Sequence, residues 1–245
     1  MNQEVYRFNK QEQCIAALAD LICSKASESY QARGIFTLVL SGGLTPIELY
    51  ESLATEKFMD KLKWDRTHLF WGDERFVHVD DPENNYTMVQ LAMISQVPIP
   101  LQNVHRIRTE TVDAEEAARD YESHLREFAA REPRSMGSGK FPKFDLVLLG
   151  LGVGGHTASL FAGRSELAES SRWVVASEAP PEQSPKDRIT MTFPVFNNAR
   201  CVAFLFYGKE KNAMLDQIIR TPDEAAKIYP AARVRPAGDL LWFVA

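Results

Sequence analysis

The chain has 245 residues, 45% of them hydrophobic and 25% charged, a composition and length suited to one large α/β domain with a well-buried core. A formal net charge of −5 without a lysine or arginine tract argues against nucleic acid as a partner. Three scattered cysteines exclude a disulfide framework and fit a reducing cytoplasm, and no apolar run reaches the roughly 20 residues that span a bilayer.

In chain order, Ile15, Leu18 and Ile22 fall at helical spacing and predict an amphipathic helix over 10–29. The continuous apolar run 35–40 predicts a strand buried on both faces. Ser41-Gly-Gly-Leu-Thr-Pro46 follows as a turn, and a helix is expected over 47–55 with proline at its start. A second strand is expected at 68–71, leading into a polar loop at 72–75, and a helix at 113–131. The stretch 134–140 is the most linker-like segment, but the α/β alternation continues across it and the whole chain, 1–245, is read as a single domain. The third strand, 145–149, runs into Gly150-Leu-Gly-Val-Gly-Gly-His156, after which a polar cluster is expected to open a helix. Further strands are expected at 173–176, 201–206 and 240–244, with a helix at 209–220. Strands alternating with helices predict a doubly wound, mostly parallel, Rossmann-like sheet flanked by helices.

Chemistry is expected where strands end, because side chains and free backbone N–H groups converge there. His156 sits at such an end with Thr157 and Ser159 beside it, a setting for a general base near neutral pH. A lone histidine is more often a satisfied loop residue; its place after flexible glycines favours function here. His68, His78, His105 and His124 lack that setting and form no ligand pair, so no metal is expected. The Ser41 loop offers backbone N–H groups and hydroxyls to a phosphate, with an ordinary capped glycine turn as the competing reading. It is neither a Walker A loop nor a dinucleotide fingerprint. The glycine run at 150–155 contains a Gly-x-Gly, but it is read as lacking the third glycine of Gly-x-Gly-x-x-Gly, no acidic ribose anchor is evident about 20 residues on, and dinucleotide binding is not expected. Asp73, Glu74 and Arg75 stand at a strand's carboxyl end, where an acidic-basic triplet is as often a solvated turn as a site. Arg188 and Lys211, each unremarkable alone, together supply the local positive charge that a phosphate needs on an acidic protein.

Ser41-Gly-Gly-Leu-Thr-Pro46, Trp71-Gly-Asp-Glu-Arg-Phe-Val77, Asn85-Tyr86, Gly150-Leu-Gly through His156-Thr-Ala-Ser-Leu-Phe161, Arg188-Ile-Thr-Met-Thr192 and the closing segment 230–242 resemble, in order, the 6-phosphogluconolactonases. The resemblance runs from about residue 38 to 242, and the histidine motif is its most specific part. It implies hydrolysis of 6-phospho-D-glucono-1,5-lactone to 6-phospho-D-gluconate in the oxidative pentose phosphate pathway, without metal or organic cofactor. His156 would activate water, Arg75 and backbone N–H groups would stabilise the oxyanion, and Asp73 would supply a compensating carboxylate. Ser41, Gly42, Gly43, Thr45, Arg188 and Lys211 would hold the phosphate. The expected partner is the small sugar-phosphate alone, with no nucleic acid and no membrane, for a cytoplasmic monomer or small homo-oligomer. Gly154 stands where the family usually has aspartate, and His78 where it usually has proline. A missing carboxylate beside His156 carries an expected cost of about 10- to 100-fold. Two other readings stay open: a weakened sugar-phosphate binding or sensor protein, and, less favoured, an amino-sugar-phosphate deaminase or isomerase, which uses aspartate at 154 and glutamate at 161.

Overall fold

The structure, a computed structural model, describes residues 2–245. Its strands are β1 (Asn2–Arg7), β2 (Phe36–Leu40), β3 (Thr67–Trp71), β4 (Asp73–Arg75), β5 (Val104–His105), β6 (Leu146–Gly150), β7 (Val174–Glu178), β8 (Asp187–Met191), β9 (Cys201–Phe206) and β10 (Asp239–Val244). Its α-helices are α1 (Gln11–Arg33), α2 (Ile47–Leu53), α3 (Glu56–Met59), α4 (Asn85–Ala92), α5 (Ala114–Arg131), α6 (Pro133–Met136), α7 (Phe193–Asn197), α8 (Lys209–Arg220) and α9 (Pro222–Ile228). Seven strands form a parallel sheet in the order β1-β10-β9-β6-β2-β3-β5, flanked by helices as the alternation predicts.

The central strands β2 and β9 are buried along their whole length, as expected of strands covered on both faces. The apolar stripe of α1, with Cys14, Leu18, Ala19, Ile22 and Ala26 all buried, explains why that segment is helical. Gly34, in the left-handed region at φ 93°, ends it by returning its N–H to the Tyr30 carbonyl. Asp113 caps α5 by accepting from the Glu116 N–H.

Three features depart from the expected pattern. β1 adds a polar, mostly exposed edge strand that carries no apolar alternation to announce it. β4, β8 and β7 form a separate antiparallel sheet, so 72–75 is not simply a loop and the strand at β7 does not join the parallel sheet. The segment 134–140 is not a linker: Ser135 and Met136 are buried in α6, and the Lys140 carbonyl accepts from the Trp173 indole.

From the centre, β2 leads outward to β3 on one side, while β6, paired with β2, leads to β9 and β10 on the other. The loops after β2 and β6 therefore diverge, which opens a crevice at the carboxyl ends of these two strands.

At the β3–β5 edge, His68 Nδ1 lies 3.0 Å from His105 Nε2, and His105 Nδ1 lies 2.8 Å from His124 Nε2. The His68 and His105 rings pack against Phe128, His105 also against Phe70, and His124 stacks on Tyr121. Burial lowers the pKa of all three, to about 4 for His68 and about 3 for His105, with Arg131 and, at His124, Arg108 lowering them further. A depressed folded-state pKa means the unfolded chain takes up protons first, so this stability is present above pH 6.5 and lost as pH falls toward those values. Each group contributes up to about 1.4 kcal/mol per pH unit within its window. Thermal melts are expected to show the midpoint falling steeply between pH 6.5 and 5; a flat midpoint over that range contradicts the buried neutral relay.

Candidate active site

One cavity of about 200 Å³ occupies the crevice, lined by Ser41, Gly42, Gly43, Thr45, Asp73, Arg75, His156, Arg188 and Lys211, every candidate from the sequence. Asn85, Gln183, Ser159 and Phe161 line it as well. Asn85 was visible in the sequence only as part of a motif without a role, and Gln183, in the β7–β8 loop, carries no sequence signal.

The Ser41 loop is held from beneath by Tyr50, whose hydroxyl accepts from Ser41 N–H at 3.0 Å and donates to Ser41 C=O at 2.7 Å. That leaves the Ser41 hydroxyl, not its N–H, for a ligand. The N–H groups of Gly42, Gly43 and Thr45 have no protein acceptor among the described residues. Helix α2 is short, seven residues, and Pro46 at its cap has no N–H, so the free backbone N–H groups here belong to the loop and not to the helix end.

On the histidine side no helix opens after residue 156. A bridge between Thr157 and Leu160 and a single turn at Ser165–Ala168 follow instead. Gly150, Gly152 and Gly155 do carry the Gly-x-Gly-x-x-Gly spacing, contrary to the sequence reading, but the fingerprint needs a helix directly after it. Gly152 serves the imidazole: a Cβ there would lie 2.0 Å from His156 Cε1, so the ring rests on bare backbone, while Gly155 makes room for Tyr229. Phe161 covers it from another side, with ring centroids 4.7 Å apart. Thr157 fastens the loop by donating to the Gly150 carbonyl at 2.8 Å.

His156 Nδ1 lies 2.8 Å from the Val153 carbonyl. A carbonyl can only accept, so Nδ1 carries the proton and Nε2 keeps its lone pair. Burial lowers the His156 pKa, against the Val153 hydrogen bond and the charge of Asp73, which raise it. The ring is neutral at pH 7 and able to take a proton.

Strand β4 sorts its acidic-basic triplet by alternation. Asp73 and Arg75 share the face toward the cavity, while Glu74 points the other way and is fully buried. Asp73 Oδ2 accepts from the Ser159 hydroxyl at 2.7 Å, and Arg75 donates to the Glu83 carbonyl at 2.8 Å. Antiparallel pairing sets Arg188 of β8 directly opposite Arg75. Like charges in that position destabilise a sheet. Arg188 is only 5% exposed, its Nε has no hydrogen-bond partner, and among the described residues it forms no ion pair. Burial, then Arg75, lowers its pKa, and burial lowers that of Lys211. Three cationic side chains thus face one carboxylate, a local positive field on a chain of net charge −5.

Comparison with known proteins agrees with this geometry. Residues 9–242 match the family described as glucosamine-6-phosphate isomerases/6-phosphogluconolactonase. The chain is similar to a 6-phosphogluconolactonase of Synechocystis, 40% identical over 226 residues, which cover 91% of this chain and 88% of that one. With the 6-phosphogluconolactonase of Nostoc the identity is 37% over 244 residues, covering 100% and 96%. The crystal structure of 6-phosphogluconolactonase from Thermotoga maritima superposes with a TM-score of 0.82 at 31% identity, covering 99% of each chain. The chain belongs to the glucosamine-6-phosphate isomerase/6-phosphogluconolactonase family.

Proposed function

We propose that the protein is a carboxylic ester hydrolase that opens 6-phospho-D-glucono-1,5-lactone to 6-phospho-D-gluconate, with His156 as general base. The observation that carries this reading is a neutral imidazole with a free Nε2 beside a buried, unpaired guanidinium, in one cavity of sugar-phosphate size order. Phosphate sits among Ser41, Gly42, Gly43, Thr45, Arg188 and Lys211, which fixes the lactone carbonyl toward His156. His156 Nε2 takes a proton from water as its oxygen bonds to the lactone carbon. Charge then builds on the carbonyl oxygen, where the Arg75 guanidinium stabilises it. Collapse of this intermediate breaks the bond to the ring oxygen, which leaves with the proton held by His156. Asp73, fixed by Ser159, offsets the imidazolium charge in between. Hydrolysis of an activated ester needs no protein nucleophile for these steps.

The same reading treats 1–245 as one domain, since both sheets contribute walls to the cavity. One chain supplies the whole lining, which suits a monomer or a small homo-oligomer. No helix among the described residues is long and apolar enough to cross a membrane. The three buried, unbridged cysteines suit a cytoplasmic enzyme.

Gly154 decides whether the base works without the usual carboxylate. The Val153 carbonyl already holds the ring, so the native protein is expected to hydrolyse freshly made lactone well above the spontaneous rate. Gly154 has φ 78° and open space around a Cβ, and aspartate tolerates that left-handed region. Gly154→Asp is therefore expected to fold and to change kcat by less than about tenfold. Native turnover at background, restored by Gly154→Asp, would make the protein a weakened, binding-only member and refute the proposal.

A further inference from the structure

Behind the cavity, Glu74 accepts from three backbone N–H groups: Asn85 at 2.6 Å and Arg75 at 2.8 Å on Oε1, and Tyr86 at 2.9 Å on Oε2. The carboxylate thus ties the start of α4 to β4. Burial raises its pKa, and these three donors offset part of the rise. The tie fixes the Asn85 side chain, which is 1% exposed. Asn85 Nδ2 donates to the Asp73 carbonyl at 3.0 Å. On its other side the amide lies against the phosphate loop, where a Cβ on Gly42 would fall 2.1 Å from Asn85 Oδ1. Gly42 has no positive φ that would demand glycine; the neighbouring amide is what excludes a side chain there.

We infer that Asn85, locked by Glu74, is a positioning residue that sets the separation between the phosphate loop at Gly42 and the Asp73–Arg75 strand, and through it the affinity for the phosphorylated end of the substrate. Asn85 spans the two walls that must act on opposite ends of one small molecule. Glu74 gives it an unusually rigid mount, since both its oxygens are spent on backbone. The inference rests on the lactonase reading for its substrate, whereas the clamp itself is a property of the fold.

Asn85→Ala is expected to raise KM for the lactone and the Kd for 6-phosphogluconate about tenfold or more and to lower kcat as well, because the phosphate that aims the carbonyl at His156 and the Asp73–Arg75 strand both lose their spacer. Glu74→Gln replaces one acceptor oxygen by an N–H₂ group facing backbone donors and is expected to move KM in the same direction. The decisive measurement is a double-mutant cycle with thermal melts and 6-phosphogluconate calorimetry. Gly42→Ala alone is expected to lower both the melting midpoint and the affinity, since methyl and amide compete for one space. In the Asn85→Ala background the same substitution is expected to cost little more. Fully additive effects, or an unchanged KM in Asn85→Ala and Glu74→Gln alike, would overturn the clamp. The stability cycle reads the clamp even if the native protein hydrolyses no lactone, so failure of the clamp and failure of the lactonase reading are separable.

Discussion

His156→Ala is expected to lower kcat for lactone hydrolysis about 10²- to 10⁴-fold and to leave the affinity for 6-phosphogluconate within about threefold of native. Alanine removes the one imidazole among the described residues lining the cavity, and the proposed phosphate cradle of the Ser41 loop, Arg188 and Lys211 does not depend on that ring. The native pH profile carries a second mark of the same base. Burial pulls its pKa below 6.5, so the acid limb of kcat/KM should have its midpoint under 6.5, with a plateau above it. Stopped turnover assays across pH, corrected for spontaneous hydrolysis, and calorimetry with 6-phosphogluconate read both quantities. Native-like kcat in the alanine variant removes His156 from the chemistry. Loss of 6-phosphogluconate binding would instead make it a ligand contact.

The site was more legible in the sequence than the sheet that builds half of it. His156 and the Ser41 loop follow apolar runs ending in glycine and polar residues, and a strand end of that kind is a local signal. Arg75 and Arg188 lie 113 residues apart and become cross-strand neighbours only through the antiparallel pairing of β4 with β8. That pairing is non-local, and β4 is three residues long, too short to show an alternating pattern. The helix expected after His156 fails for a different reason. Ala158 and Gly163, both after His156, hold positive φ, and left-handed residues break a helical path. What orients His156 was not readable at all, because the group is the backbone carbonyl of Val153 rather than a side chain. Gly154 therefore looked like a missing part in the sequence, while the fold supplies the orienting acceptor one residue earlier. The edge strand β1 was missed because its neighbour β10, not its own composition, makes it a strand.

Arg188→Met should weaken 6-phosphogluconate binding and raise the lactone KM about 100-fold, and should also raise the melting midpoint. Both effects come from one fact: Arg188, 5% exposed as a residue and opposite Arg75, has no ion-pair partner among the described residues. Burying such a charge costs free energy that the charges of Asp73, Glu83 and Glu74, none of them an ion-pair partner, offset only in part, and methionine removes that cost while keeping the apolar stem of the side chain. When a phosphate dianion is bound, the same guanidinium gains charge-assisted hydrogen bonds worth about 1.5–3 kcal/mol each, so its loss falls on affinity. A structural arginine gives the opposite pair of results, with a lower midpoint and unchanged binding. Lys211→Met separates the two sources of positive charge: its ammonium is only partly buried and stands opposite no like charge in the sheet. It should weaken binding with little change in the midpoint. Stability stored as repulsion and released on ligand binding also makes the native protein gain more from saturating 6-phosphogluconate than the methionine variant does, which melts with and without ligand test directly.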